Sequence, residues 1–340
     1  MRKIMLLGVV FTMFVSCSSA QKTTKKQADA SNYITTIKAE ELSKHLYIVA
    51  GDEMQGRNTG EPGQKKAGEY LISEYKKIGI SFPPGATDFY QKVPSEFMKR
   101  GFAPKLNDSE NIWAFIKGSE KPEEILVISA HYDHVGMKNG EIYNGADDDG
   151  SGTVALLEIA QAFKEAEKKG QGPKRSILFL HVTGEEHGLH GSRYYSENPL
   201  FPLENTIADI NIDMIGRRDT LHPATNNYIY VIGSDRLSSE LHTINEEVNT
   251  KFTKLELDYK YNDRNDPERI YFRSDHYNFA KKGIPSIFFF NGIHADYHLP
   301  SDTPDKIEYD ALAKRAQLAF ALAWELANRK ERIKVDKNGE

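Results

Sequence analysis

The stretch Ile125-Leu126-Val127-Ile128-Ser129-Ala130-His131-Tyr132-Asp133-His134 decides the fold. Its first six residues have strand length and lack the polar alternation of a strand with one wet face. The run then breaks into two histidines and an acid. Ile177 to Val182 (ILFLHV) repeats the arrangement and ends in Thr183-Gly184-Glu185-Glu186-His187-Gly188. Ile207 to Ile212 (IADINI) ends in Asp213, and Tyr228 to Ile232 and Pro285 to Phe290 (PSIFFF) are further apolar runs. Strands apolar on both faces belong in a sheet covered on both sides, and such sheets are mostly parallel.

Helical patterns alternate with these runs. Ala67, Tyr70, Leu71, Tyr75 and Ile78 recur at helical spacing after Gly60-Glu61-Pro62-Gly63. Thr153 to Glu165 carries an apolar stripe of Val154, Leu157, Ile159, Ala160 and Phe163, and Tyr309 to Ala327 reads as a final amphipathic helix. Ser81 to Glu110 is punctuated by Pro and Gly and is predicted to be irregular or paired in short strands. The alternation predicts an α/β protein with helices on both faces of the sheet. Ligands in such sheets sit beyond the carboxyl ends of the strands, where the polar clusters of this chain fall.

The 340 residues are 39% hydrophobic and 27% charged, as in an ordinary soluble globular protein. A net charge of −5, with no basic stripe, excludes a nucleic-acid partner. Cys17 is the single cysteine, so neither an internal disulfide nor a thiolate metal site is available. Arg2 and Lys3 precede an apolar run, Ile4 to Val15, that is too short to span a bilayer and reads as a secretory leader. Phe14-Val15-Ser16-Cys17 resembles a bacterial lipobox. The reading is therefore a leader and lipobox over residues 1–17, a flexible tether over 18–32, and one domain over 33–335. The expected location is outside the cytoplasm, facing the periplasm or cell surface. The membrane is reached only through the N-terminal lipid.

Five clusters carry the chemistry. His131 and Asp133 share one side of an extended segment, so the carboxylate can fix the imidazole. Asp147, Asp148 and Asp149 stand in Gly145-Ala146-Asp147-Asp148-Asp149-Gly150-Ser151-Gly152, just before a helix. Helix capping explains one of these acids; three adjacent carboxylates need a cation or basic partners. Glu185 and Glu186 follow a strand directly, so one can bind a metal while the other handles protons. Asp213 sits in an apolar run and must be paired or metal-bound. His298 lies in Asp296-Tyr297-His298-Leu299. Nitrogen and oxygen donors without thiols suit zinc, with manganese or cobalt as alternatives.

Together with Met54-Gln55-Gly56-Arg57, these clusters resemble, in order, the co-catalytic zinc aminopeptidases, family twenty-eight of the metallopeptidases. The resemblance runs from about Ile37 to Ile307. It implies a three-layer sandwich around a mostly parallel sheet of about eight strands. It implies two Zn2+ bridged by Asp148, with His131 and Asp213 completing one site and Glu186 and His298 the other. Glu185 would be the general base acting on a metal-bridging water, Asp133 would support His131, and Tyr297 would bond the scissile carbonyl. No role falls to His134, His187 or His276 beyond orienting loops. The implied substrate is a peptide with a free N-terminus.

Three other readings stand beside this one. Glutaminyl cyclases share the fold with a single zinc, but relatives of that kind carry Trp before the last ligand histidine, where this chain has Tyr297. Glutamate-type carboxypeptidases need a basic pocket, for which Arg269 and Arg273 are placed. A non-catalytic binding lipoprotein would keep the fold without the reaction.

Overall fold

The computed structural model describes residues 29–99 and 105–339. The leader and lipobox, and the tether as far as residue 28, lie outside the described residues. The strands are β1 (Tyr90–Val93), β2 (Ser109–Ile116), β3 (Lys121–His131), β4 (Gly136–Lys138), β5 (Glu141–Tyr143), β6 (Arg175–Val182), β7 (Thr206–Ile212), β8 (Tyr228–Ile232), β9 (Glu256–Asp258) and β10 (Ser286–Phe290). The α-helices are α1 (Ala39–Val49), α2 (Pro62–Ile78), α3 (Ser95–Met98), α4 (Gly152–Lys168), α5 (His190–Glu197), α6 (Ser239–Val248), α7 (His276–Ala280) and α8 (Tyr309–Asn328).

Eight strands form one sheet in the order β1-β2-β6-β3-β7-β10-β8-β9. The four central strands, β6, β3, β7 and β10, run parallel. Antiparallel pairings join β1 to β2, β2 to β6 and β10 to β8. The apolar runs read from sequence are these four strands and β8, and every residue of β6, β7, β8 and β10 is buried. Alternation divides β3 and β6 between two cores. Leu126, Ile128, Ala130, Ile177 and Phe179 join the larger core, under α1, α2, α4, α6 and α8. Ile125, Val127, Leu178, Leu180 and Val182 join the smaller one, with Tyr195 of α5 and Phe279 of α7.

The ordered body is longer than 33–335 at both ends. Ala30 is buried in the main core, and the Asp29 carboxylate caps the Ser31 amide. Past residue 335, the Asp336 carboxylate accepts from the Ser239 amide and the Gly339 amide donates to the Arg236 carbonyl. These contacts correct the expectation of a tether up to residue 32. Strand β3 also begins four residues earlier than its apolar run, because Lys121 pairs with Arg175 across a register shift.

His181 on β6 is fully buried, with Nε2 2.7 Å from the Tyr75 hydroxyl. Burial pushes its pKa down to about 3. The folded state keeps this imidazole neutral, while the unfolded state binds a proton below its ordinary pKa. Stability from this residue is therefore complete above about pH 6.5 and falls with pH, by about 1.4 kcal/mol per unit. Urea denaturation at pH 7 and pH 5 should show the wild type losing about 2 kcal/mol more than His181→Gln, which keeps a partner for Tyr75. Equal losses would show that His181 does not carry this sensitivity.

Candidate metal centre

Parallel strands deliver the polar clusters to one edge. β3 lies between β6 and β7, so its terminal His131 sits between Glu185 and Glu186, which follow β6, and Asp213, which follows β7. The Asp147-Asp148-Asp149 loop leads into α4, and His298 arrives on the loop after β10.

Two donor sets meet at Asp148. His131 Nε2 lies 3.2 Å from Asp148 Oδ1, 3.5 Å from Asp213 Oδ1 and 4.0 Å from Glu185 Oε2. His298 Nε2 lies 3.0 Å from both Asp148 Oδ2 and Glu186 Oε2. His134 Nδ1 lies 2.7 Å from Glu186 Oε1 and 3.7 Å from Asp148 Oδ2. Donor atoms of His131, Asp148 and Asp213 fall within 4.8 Å of one another, as do those of His134, Asp148 and Glu186. All five residues expected to bind metal are thus brought together.

The neighbouring acids have separate roles. Asp147 accepts from the Gly216 amide at 2.6 Å, and its other oxygen is 3.1 Å from His294 Nε2. Asp149 accepts from the Gly152 and Met214 amides, joining the start of α4 to the end of β7. Asp302 accepts from the Asp147 and Asp148 amides and so fixes the loop that presents Asp148. Asp213 is held by the Ser274 hydroxyl at 2.6 Å. Asp133 accepts from Thr59 Oγ1 at 2.7 Å and from the Glu185 amide at 3.2 Å. The hydrogen bond of His131 Nδ1 goes to the Asp133 backbone carbonyl at 3.0 Å, whereas the Asp133 carboxylate is 3.8 Å away. This corrects the expected carboxylate–imidazole pair. The carboxylate instead positions Glu185.

Arg57 is fully buried and donates to the carbonyls of Val49, Tyr132, Asn144 and Gly145. It clamps the His131 segment to the aspartate loop and sets one positive charge behind Asp148, Asp149 and Asp133. Sequence reading attached no role to Arg57, Asp302 or Thr59. Their partners are remote in the chain, and a polar residue in a loop carries no mark of such a contact.

Asp148 is held well below the usual carboxylate range: burial opposes this, and His131, His298 and His134 outweigh it. Glu185 is pushed well above its usual value by burial, then by Asp213 and Glu186, against the pull of His131. Burial, reinforced by Asp148, Glu186 and Glu185, also raises Tyr297, which keeps its hydroxyl protonated. Tyr297 and Glu185 line an inner cavity with Met214, Ile270, Phe288, Phe290 and Ile293. An outer cleft over Glu186 and His298 carries Arg193, Arg273 and Lys281 on its walls.

The residues fit divalent cations. His131 Nε2, His298 Nε2, His134 Nδ1, Asp148 Oδ2 and Glu186 Oε1 are buried without a hydrogen-bond partner, although several approach within 3.0 Å of one another. A shared cation would satisfy facing donors this close. Buried polar atoms are otherwise satisfied.

The sequence profile of peptidase family M28 matches residues 111–323, and the chain belongs to that family. A probable leucine aminopeptidase of Trichophyton verrucosum is 33% identical over 225 residues, covering 64% of this chain and 57% of that protein. The chain therefore spans little more than half the length of this curated relative. Among solved structures, the aminopeptidase from Aneurinibacillus sp. strain AM-1 superimposes with a TM-score of 0.66 at 15% identity, over 91% of this chain and 98% of that one. Porphyromonas gingivalis glutaminyl cyclase superimposes with a TM-score of 0.64 at 17% identity, over 84% and 97% of the two chains. These similarities establish the zinc-exopeptidase type of fold.

Gly152 permits the Asp149 cap. A Cβ there would lie 2.4 Å from the Ile212 carbonyl oxygen and 2.5 Å from Asp149 Oδ1. Gly152→Ala should destabilise the protein by about 1–3 kcal/mol, seen as a lower urea midpoint with an unchanged slope. An unchanged midpoint would mean that the Asp149 cap is not tightly packed.

Proposed function

We propose that this chain is a metal-dependent aminopeptidase that hydrolyses the first peptide bond of substrates with a free N-terminus. The observation that carries the reading is the convergence of two donor sets on Asp148, beside Glu185 and at the mouth of an apolar cavity. His131, Asp148 and Asp213 would hold one divalent cation, and Glu186 and His298, with Asp148 shared, a second. Zinc suits these donors best. When bound, the ions supply Lewis acidity and lower the pKa of water.

The remaining steps belong to the protein. Glu185, placed by the Asp133 carboxylate through its amide, takes a proton from the attacking water and passes it to the leaving nitrogen. The Tyr297 hydroxyl donates to the carbonyl oxygen as negative charge develops there. In the lining of the inner cavity three carboxyl groups, Asp148, Asp213 and Glu185, face one cation, Arg273, an acidic excess that suits an ammonium group. Met214, Ile270, Phe288, Phe290 and Ile293 suit an apolar first side chain. The leader and Cys17 support a lipid-anchored, exported protein, tested by membrane fractionation of the full chain beside Cys17→Ser.

Glu185→Gln should lower kcat by about 10²–10⁴ while metal content stays at the wild-type value. Near-normal turnover at full metal content would remove Glu185 from the base role. Leucyl substrates should exceed alanyl ones in kcat/KM by at least about tenfold, and N-acetylation should abolish cleavage. Pyroglutamate release from glutaminyl peptides in place of hydrolysis would overturn the aminopeptidase reading in favour of a cyclase.

A further inference from the structure

We propose that His134 is a sixth metal-binding residue, giving the Glu186 and His298 site two imidazoles. The inference rests on the metal-centre reading above and adds a donor to the five residues that the family resemblance implies. His134 is fully buried, yet neither ring nitrogen has a hydrogen-bond partner. Leaving both nitrogens of a buried imidazole unmet is costly unless one of them serves another atom.

The position of the ring is built. The His134 amide donates to the Arg57 carbonyl, which ties the residue to the same clamp that holds the aspartate loop. A Cβ at Gly145 would fall 2.4 Å from two carbons of the His134 ring, so the residue opening that loop must be small for the ring to fit. Nδ1 then faces Glu186 Oε1 at 2.7 Å, while Glu186 Oε2 faces His298 Nε2 at 3.0 Å. Asp148 Oδ2 lies 3.7 Å from His134 Nδ1 and 3.0 Å from His298 Nε2.

Ring spacing agrees with a shared ion. An imidazole nitrogen binds zinc at about 2.0–2.1 Å, which puts the ring centre about 3.2 Å from the ion and two tetrahedrally arranged rings about 5.2 Å apart. The His134 and His298 ring centres are 5.7 Å apart, at an interplanar angle of 72°. Two imidazoles with Asp148 and Glu186 make four protein donors. The His131 and Asp213 site has three with Asp148, the count that leaves a position open for water or substrate. The His134 site would then be filled by protein donors, and the His131 site would keep room for water or substrate.

The test uses the full chain loaded with two equivalents of cobalt(II), read by paramagnetic proton NMR. Each bound imidazole keeps one exchangeable N–H, which is shifted far outside the ordinary range. Three such signals are expected, from His131, His134 and His298. His134→Gln, which keeps a polar side chain but supplies no imidazole, should show two and bind one equivalent at least about tenfold more weakly. Two signals in the wild type would overturn the proposal. So would three in the variant. Should the variant not fold, the wild-type count alone decides. Failure to bind metal at all would instead overturn the metal-centre reading, so the two failures are distinguishable.

Discussion

The molecule depends on holding a crowd of carboxylates together away from water. Asp133, Asp147, Asp148, Asp149, Asp213 and Asp302 are all buried at one edge of the sheet, with Glu185 and Glu186 beside them. Buried like charges raise one another's pKa and destabilise the fold unless each has a donor. The structure meets this by division of labour. Asp147, Asp149, Asp302 and Asp133 each accept from at least one backbone amide. Arg57 adds a guanidinium behind them. Asp148 and Glu186 face the histidines with buried oxygens that no hydrogen bond satisfies. Stability and the candidate metal centre thus draw on the same set of acids, sorted by whether a backbone N–H reaches them.

That sorting requires the sheet. The order β6-β3-β7 puts three strand ends side by side, so residues from three distant parts of the chain arrive within hydrogen-bond range. Parallel pairing makes the three ends point the same way, and burial on both faces keeps them rigid. An antiparallel arrangement of the same three strands would send one cluster to the opposite edge.

The sheet and part of the candidate metal centre were legible in the sequence for one reason: three of the proposed donors, His131, Glu186 and Asp213, come directly or almost directly after an apolar run. His131 ends Ile125 to Ala130, Glu185 and Glu186 follow Ile177 to Val182, and Asp213 ends Ile207 to Ile212. Local pattern sufficed for these. It failed where a residue's role is set by a remote partner. Asp302 caps amides more than 150 positions away. His134 looked like a loop residue because the Gly145 space and the Glu186 oxygen that define it are separated from it in the chain. Spacing did put Asp133 near His131, but only side-chain placement shows the carbonyl, and not the carboxylate, meeting the imidazole. α5 was not foreseen because His190–Glu197 is short and polar, with Tyr195 as its one buried large apolar side chain.

The uneven burial of the site fixes the direction of approach. His131 and His134 are closed off from solvent, while the His298 side chain is 38% exposed. His298 also has a left-handed backbone (φ 55°) and stacks at 3.9 Å on Tyr297, which lines both the inner cavity and the outer cleft. A non-glycine residue in this conformation is held there by its surroundings, at a cost of about 1–3 kcal/mol. The solvent-facing wall of the site is therefore the loop after β10. The buried side is held by Arg57, whose guanidinium ties the His131 segment to the aspartate loop through the Tyr132 and Gly145 carbonyls.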